Sequence, residues 1–152
     1  MRAALTWRPT QARHVRLSER GFGGIEAIFT LALGAERRRI GPDPETLDIS
    51  IGMEINPIEQ TVLWRVDYRV DVRDQRVEDD SPDRGVFGVH AAYAVALSPD
   101  VELDDHGSLV SALWPHARAE LINLIPPVAG KSLGLPMSLD LAAVEADRMA
   151  GE

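Results

Sequence analysis

The sequence contains no cysteine. This absence excludes a disulfide framework, a thiol nucleophile and a thiolate metal site, and nothing in the chain requires an oxidising compartment. The sequence also lacks an apolar run approaching the roughly 20 residues that a membrane-spanning helix needs. Its start, MRAALTWRPTQARHVR, carries basic residues but no apolar core of a signal peptide. We therefore expect a soluble cytoplasmic protein that is not exported and does not insert into membranes.

Basic residues are outnumbered, because 16 lysines and arginines stand against 24 aspartates and glutamates, which gives a formal charge of -8. Such a charge repels phosphate backbones and argues against nucleic-acid binding, whereas it suits a basic partner. The length of 152 residues favours one domain, since a chain of this size buries roughly 70% of its unfolded surface. We expect a single domain over residues 1–152, with a loose arm over residues 1–10.

Residues that carry catalysis or hold cofactors are also scarce. The four histidines are scattered, and the glycine-rich stretch Gly21–Gly24 lacks both the Lys-Ser/Thr of a phosphate loop and the spacing of a dinucleotide site. His116 and Glu120 are four residues apart, which favours a surface ion pair over a general base because no partnered nucleophile is identifiable. We expect a non-enzymatic binding protein without a cofactor.

One acidic cluster is suggestive of a metal site. Its members are Glu102, Asp104, Asp105 and His106. They lack the defined spacing of a ligand array, and carboxylates at the start of a helix bind its free N–H groups and favour the positive end of its dipole. We interpret these aspartates as helix caps and expect no metal.

Two segments alternate apolar and polar residues with the period of two that is typical of strands. Residues 46–55 place Leu47, Ile49, Ile51, Met53 and Ile55 on one face. Residues 62–72 place Val62, Trp64, Val66, Tyr68, Val70 and Val72 on one face. The other face of the second segment carries Arg65, Asp67, Arg69 and Asp71. A face this polar meets water, which predicts an antiparallel sheet with one covered side.

A third strand is predicted over residues 86–97, where large side chains alternate with glycine, histidine and alanine. The large members are Phe87, Val89, Tyr93, Val95 and Leu97. A helix follows, because Leu109, Leu113, Ala117 and Leu121 recur at intervals of four. Pro115 predicts a kink or a split in this helix, and the pair at residues 126 and 127 predicts its end.

The remaining segments give weaker patterns. Residues 11–33 fit one long strand broken at Gly21–Gly24 or two separate elements, and residues 34–45 form a charged connector. The arginines at 37–39 are interpreted as a solvated loop in preference to an anion site. Residues 135–141 are short and apolar, residues 142–149 read as a docked terminal helix, and Trp7 is either a local anchor or an aromatic that docks on another subunit.

Several residues around Pro115 resemble the export chaperone SecB and its SecB-like relatives. The shared features are a strand of the form Phe-x-Val-x-x-x-Tyr at 87–93 and the run Trp-Pro-His-Ala-Arg-Ala-Glu at 114–120. The similarity extends to Leu-Gly-Leu-Pro-Met at 133–137, to the segment 139–149 and to the two strands upstream. This chain differs from typical members in a longer, glycine-broken first-strand region and in lacking a long acidic tail.

The resemblance implies an α+β fold in which a four-stranded antiparallel sheet, a meander or Greek key, is backed by the proline-kinked helix and a short C-terminal helix. It also implies a homotetramer, built as a dimer of dimers, that acts as an ATP-independent holdase and binds unfolded preproteins in apolar surface grooves. In that family an acidic sheet face contacts the translocation motor ATPase. Other relatives serve an antitoxin of a toxin–antitoxin system, so that partner stays open, as does a small-molecule-binding α+β domain with a closed pocket.

The sequence itself agrees with a binding role, because its strands present more apolar surface than one kinked helix and a short terminal helix can cover. Candidates for the client site are Ile49, Ile51, Met53, Trp64, Phe87, Val89, Tyr93 and Trp114. Candidates for the acidic partner face are Asp48, Glu54, Asp67 and Asp71. The alternatives are an ordinary core for the first set and solubility for the second.

Overall fold

A computed structural model describes residues 14–41, 44–77, 81 and 84–141 of the chain. The elements are two short strands, four long strands, two helices and one 3-10 turn. In chain order they are β1 (Val15–Arg16), α1 (Leu17–Arg20), a 3-10 turn (Gly21–Gly24), β2 (Ile25–Arg37), β3 (Leu47–Pro57), β4 (Trp64–Asp74), β5 (Gly85–Leu97), β6 (Val101–Glu102) and α2 (His106–Ala129). The predicted arm at residues 1–10, with Trp7, and the predicted terminal helix at 142–149 lie outside the described residues.

The four long strands form one antiparallel sheet in the order β2-β5-β4-β3. This confirms the α+β class and the four-stranded antiparallel sheet, and strands β3, β4 and β5 match the three segments predicted from the period of two. Val62 was predicted to face the core, and this is wrong. Its side chain is 87% exposed because it lies in the turn before β4, where the N–H of Ile58 donates to the carbonyl of Leu63 at 3.0 Å.

The sheet has one apolar side, which carries α2, and one outer side. Cross-strand pairs show this directly, since Ile51 lies opposite Val70 and Val70 lies opposite Val89 on the helix side. On the outer side, Arg69 of β4 lies between Gly52 and His90. The alternation read from the sequence therefore assigns each side chain of β3 and β4 to its observed side of the sheet.

Helix α2 is continuous from His106 to Ala129, so the predicted split at Pro115 is not observed. Pro115 and Ser111, whose carbonyl loses its N–H partner, both lie on the exposed side of the helix. Water can bond that carbonyl, which reduces the cost of the proline. The helix also continues through Pro126 and Pro127 and ends at Gly130, which adopts the left-handed conformation (φ 72°) that glycine favours at helix ends.

The core lies between α2 and the helix side of the sheet. Its largest fully buried side chains are Trp114, Tyr68, Tyr93 and Phe87. Their polar atoms are bonded, since the Tyr68 hydroxyl donates to the carbonyl of Val110 at 2.7 Å and Nε1 of Trp114 donates to the carbonyl of Pro136 at 3.0 Å. The second bond joins the segment after α2 to the helix and covers the far side of Trp114.

The arginines at 37–39 form structural bonds, so the predicted solvated loop is wrong. Arg37 is the last residue of β2 and donates to the carbonyl of Val128 in the last turn of α2 at 2.9 Å. Arg38 and Arg39 form ion pairs with Asp71 at 3.0 Å and Asp74 at 2.7 Å. The pairing with Arg39 is the first cause that lowers the pKa of Asp74. These contacts fix the connector after β2 to both the sheet and the helix.

Candidate functional site

Helix α2 crosses the sheet obliquely, and its path decides which apolar side chains stay accessible. Near its start, the His106 ring contacts Trp64 of β4 edge-on, with centroids 5.6 Å apart. Near its end, the carbonyl of Val128 accepts from Arg37 of β2. The helix thus runs from β4 towards β2 and leaves β3 at the margin of the covered area, where its apolar residues are only partly buried.

Strand β3 presents an apolar stripe, which we call the β3 edge and define as Ile49, Ile51 and Met53. All three lie on the helix side of the sheet. Ile49 is 38% exposed, and the other two are half-buried. Trp64, opposite Pro57 at the end of the same strand pair, is also half-buried. Three of the predicted client-site residues therefore lie in a row at this margin of the sheet, and Trp64 lies at the far end of the same strand pair, beyond Ile55.

The other four candidates lie in the core. Phe87, Val89 and Tyr93 belong to β5, which has a neighbouring strand on each side and α2 above it, and each is at most 1% exposed. Trp114 is 1% exposed on the buried side of α2. In this conformation these four residues build the apolar interior and have no accessible surface for a client. Their position fits the alternative stated in the sequence analysis, in which these residues belong to an ordinary core.

The opposite margin of the sheet carries a second apolar surface, which the sequence reading missed. We call it the β2 edge and define it as Phe29, Leu31 and Leu33, whose side chains are 54%, 47% and 44% exposed. Within the described residues, β2 is hydrogen-bonded to β5 along one edge, and no strand pairs with its other edge. Natural edge strands are usually protected by charge, proline or brevity. By contrast, the thirteen-residue β2 has no charged residue between positions 27 and 35.

A register shift explains why the β2 edge has apolar side chains on both faces of the sheet. Phe29 pairs with Ala94 on the outer side, whereas Leu33 pairs with Ala91 on the helix side. Between them the register shifts at Leu31, which has no partner on β5. Such a bulge turns successive side chains out of strict alternation. The signal that could have identified this edge is the uncharged run itself, AIFTLALGA.

The outer side of the sheet carries all four candidates for the acidic partner face. Asp67 forms an ion pair with Arg65 at 2.9 Å, and the hydrogen bond that Arg65 donates to Asp67 is the first cause that raises the pKa of that guanidinium. Asp71 contacts Arg38 at 3.0 Å as an ion pair rather than as an aligned hydrogen bond. Asp48 lies 3.5 Å from Arg84. The face therefore alternates in charge.

Glu54, the remaining candidate, is exposed on the same side of the sheet and accepts a hydrogen bond from Asn56 at 2.9 Å. Glycines allow the polar side chains of this side to lie flat. A Cβ at Gly34 would stand 2.2 Å from Cε1 of His90, and a Cβ at Gly88 would stand 2.9 Å from Nη2 of Arg38. The face of β5 that carries glycine, histidine and alanine is thus covered by an imidazole and a guanidinium.

One polar network lies between the sheet and α2. The hydroxyl of Tyr93 donates to the carboxylate of Glu120, whose other oxygen is 3.8 Å from Nε2 of His116. Burial is the main cause that raises the pKa of Tyr93, and the hydrogen bond adds to it. A phenol held protonated in this way is a poor nucleophile. The His116–Glu120 pair has the spacing expected of the predicted ion pair.

Within the acidic cluster before α2, the predicted helix cap is confirmed for Asp105. Asp105 is the N-cap residue and accepts from the N–H of Ser108 at 2.7 Å. Asp104 accepts from the N–H of Ser18 and the hydroxyl of Ser108, and hydrogen bonding to Ser18 is the first cause that lowers its pKa to about 2. Among the described residues, no group of three histidines or carboxylates is placed to hold a metal ion.

Two surface grooves of about 410 and 520 Å³ are present, and both open to solvent. The first lies on the outer side of the sheet beside Gly52, Arg69 and His90. The second lies between α1 and the first half of α2. In the described part of the chain, no helix has the length and apolar character required to cross a membrane.

Comparison with known proteins adds a likeness of fold. No family model matches the sequence, and no curated protein matches it. Among solved structures, the chain is similar to a Mycobacterium tuberculosis SecB-like chaperone, determined in complex with a ChAD peptide from the HigA1 antitoxin. The match covers 74% of this chain and 87% of that one, at 17% sequence identity and a TM-score of 0.47.

Proposed function

We propose that this protein is an ATP-independent holdase chaperone that binds non-native polypeptides at the β2 edge and the β3 edge. The observation that carries the proposal is the β2 edge, where three exposed apolar side chains lie along a strand margin with which no strand of the described residues pairs. Unfolded chains offer the complementary features, which are unpaired main-chain groups and exposed apolar side chains. Most folded proteins protect their edge strands and do not offer both on the same segment.

Strand addition explains how such a surface binds without sequence specificity. A client segment in extended form can pair its N–H and C=O groups with those on the free edge of β2. The client segment would then be a fifth strand of the sheet. Its alternate side chains would then lie beside Phe29 on one side of the sheet and Leu33 on the other. Main-chain hydrogen bonds supply affinity that is independent of sequence, and the apolar contacts select segments that a folded client would bury.

The β3 edge supplies a second binding surface of the same kind. Its accessible aliphatic side chains all face the helix side, and the half-buried Trp64 lies at the far end of the same strand pair. Binding to unfolded states alone is sufficient for holdase activity, because any partner of the unfolded state shifts the folding equilibrium towards it. The mechanism requires no nucleotide and no covalent step.

We further propose a homotetramer in the cytoplasm, in which part of the apolar surface of each chain is covered by other copies. Unfolded preproteins and a disordered antitoxin segment share the chemistry that the two edges would recognise, so both belong to the proposed client class. The outer side of the sheet is the proposed docking surface for a motor ATPase. Because three of its carboxylates already face arginines, we expect such docking to depend on Glu54 more than on the other three.

The test is suppression of aggregation without ATP, using a disulfide-bonded client protein that unfolds when it is reduced. We expect the wild type to suppress light scattering, and Leu31→Lys to require about tenfold more protein for the same effect. This factor corresponds to about 1.4 kcal/mol, less than the value of burying one leucine side chain. The matched control is Val62→Lys, which places the same charge on an exposed apolar site in a turn.

Multi-angle light scattering on the same samples gives the oligomeric state, for which we expect four chains per particle. A monomeric wild type that fails to suppress aggregation at stoichiometric excess would contradict the proposal. Equal suppression by Leu31→Lys and Val62→Lys would show that the β2 edge is not the binding surface. Titration with antitoxin-like and preprotein-like peptides then ranks the two client types.

A further inference from the structure

The groove of about 520 Å³ differs in place and composition from both sheet edges. Leu17 and Ala112 are buried at its base, and Phe22 forms one wall with 52% of its side chain exposed. The opposite wall is the first half of α2, where the exposed residues Ser111 and Pro115 are small or compact. The groove is therefore an apolar slot along a helix, with room for a bulky side chain against Phe22.

One end of the groove is acidic. Asp105 lines it directly, and Asp104 stands next to it, held by hydrogen bonds from Ser18 and Ser108. Within the described residues, neither carboxylate has a cationic side chain at ion-pair distance. The slot thus combines an apolar floor, an aromatic wall and two carboxylates that accept hydrogen bonds but have no ion-pair partner in the described part of the chain. A complementary occupant carries a large apolar side chain next to basic residues.

Residues 1–13 of the same chain have this composition. They contain three arginines and no acidic residue, and the Trp-Arg pair at positions 7 and 8 puts the indole next to a guanidinium. The segment joins the fold at His14, three residues before Leu17 at the base of the groove. Six residues lie between Trp7 and His14, and the seven steps from one Cα to the next can span about 23 Å. The α2 wall from Gly107 to Pro115 is only about 12 Å long, so the groove lies within reach.

We propose that the segment 1–13 docks in this groove of its own chain, with Trp7 against Phe22 and its arginines beside Asp104 and Asp105. Residues 142–152 also begin at the groove, since Leu141 lines it. They carry three acidic residues and one arginine, so the acidic end of the slot repels them. The interaction does not depend on the proposed chaperone function, because it concerns a different surface and an intramolecular partner.

The test is ¹⁹F NMR of the full-length chain labelled with 5-fluorotryptophan, which reports on the three tryptophans separately. Trp7→Phe identifies the Trp7 resonance. We expect this resonance to differ from its position in urea-unfolded protein and to move towards that position in Phe22→Ala. Raising the salt concentration from about 0.05 M to about 1 M should move it in the same direction, because screening weakens the arginine–aspartate attraction.

The matched control is Phe29→Ala, which removes a phenylalanine of nearly equal exposure (54%) on β2 and should leave the Trp7 resonance unchanged. The resonance of the buried Trp114 shows in each variant that the fold is intact. The proposal is overturned if Trp7 already has the unfolded position in the wild type, or if Phe22→Ala does not move it. It is also overturned if the shift depends on protein concentration, which indicates a second copy.

Discussion

Replacing Arg37 by methionine should destabilise the fold, because this side chain joins the sheet, the connector after β2 and the end of α2. Its guanidinium donates to the carbonyls of Arg39 at 2.7 Å, Val128 at 2.9 Å and Gly41 at 3.1 Å. The carbonyl of Val128 is one of the last four of α2, which have no partner inside the helix. The positive charge also lies at the negative end of the helix dipole.

The size of the effect follows from these contacts. Hydrogen bonds from charged groups contribute about 1.5–3 kcal/mol when buried, and we take about 1 kcal/mol for each of the two part-buried bonds and nothing for the exposed one. The helix dipole adds about 0.5 kcal/mol. Arg37→Met should therefore lower the free energy of unfolding by about 2–3 kcal/mol. Arg37→Lys should recover at most about a third of this, since an ammonium cannot reach three carbonyls in the same geometry.

The measurement is urea unfolding followed by circular dichroism at one fixed protein concentration, where an m-value of about 2 kcal/mol/M gives a midpoint shift of about 1–1.5 M. Arg69→Met is the control, because Arg69 is exposed and makes no hydrogen bond or ion pair to a described residue. Its effect should stay within about 0.5 kcal/mol. If Arg37→Met lowers the free energy of unfolding by less than about 0.5 kcal/mol, this account of how the connector after β2 is held is refuted.

Three further substitutions test other parts of the structure. Tyr68→Phe removes the hydroxyl that donates to Val110 and should cost about 1 kcal/mol in urea unfolding; an unchanged midpoint would contradict that bond. Asp104 has a folded pKa of about 2, below its usual 3.8, so its stabilising effect is present above about pH 4 and is lost as the pH falls towards 2; Asp104→Asn should lose less stability than the wild type across that acid range, and parallel acid curves would count against the capping role. Gly34→Ala brings a Cβ to 2.2 Å from the His90 ring, so it should destabilise the wild type yet stabilise a His90→Ala background by about 0.5–1 kcal/mol; the same sign in both backgrounds would disprove the stacking.

The sheet was predictable where its pattern is local. Residues of β3 and β4 alternate with a period of two, and that period assigns each side chain to one side whatever the neighbouring strand is. The bulge at Leu31 breaks the alternation of β2, so the period cannot identify its faces. Pro115 taken alone predicts a break in the helix, but α2 continues through it. The proline lies on the solvent side of α2, so water can bond the carbonyl that loses its N–H partner.

The candidate site was predictable only in part, because exposure depends on strand order. Ile51 and Val89 have the same kind of side chain and face the same side of the sheet, yet Ile51 is at an edge and Val89 is at the centre. The order of the strands in the sheet follows from contacts between residues far apart in sequence, and no local pattern contains that information. The pairing of Asp71 with Arg38 is equally non-local, so the sequence could not show that this carboxylate of the candidate acidic face is neutralised.

The positions of the two edges set a minimum length for any polypeptide that uses both. Four strands at about 4.8 Å spacing place an added strand on one edge about 24 Å from an added strand on the other. At about 3.4 Å per residue, a spacer of at least seven residues is needed to connect them, and it must pass over a face of the sheet. Under the proposed function, a short peptide gains one contact, whereas a long chain with two apolar stretches gains both and is held more tightly through effective concentration alone.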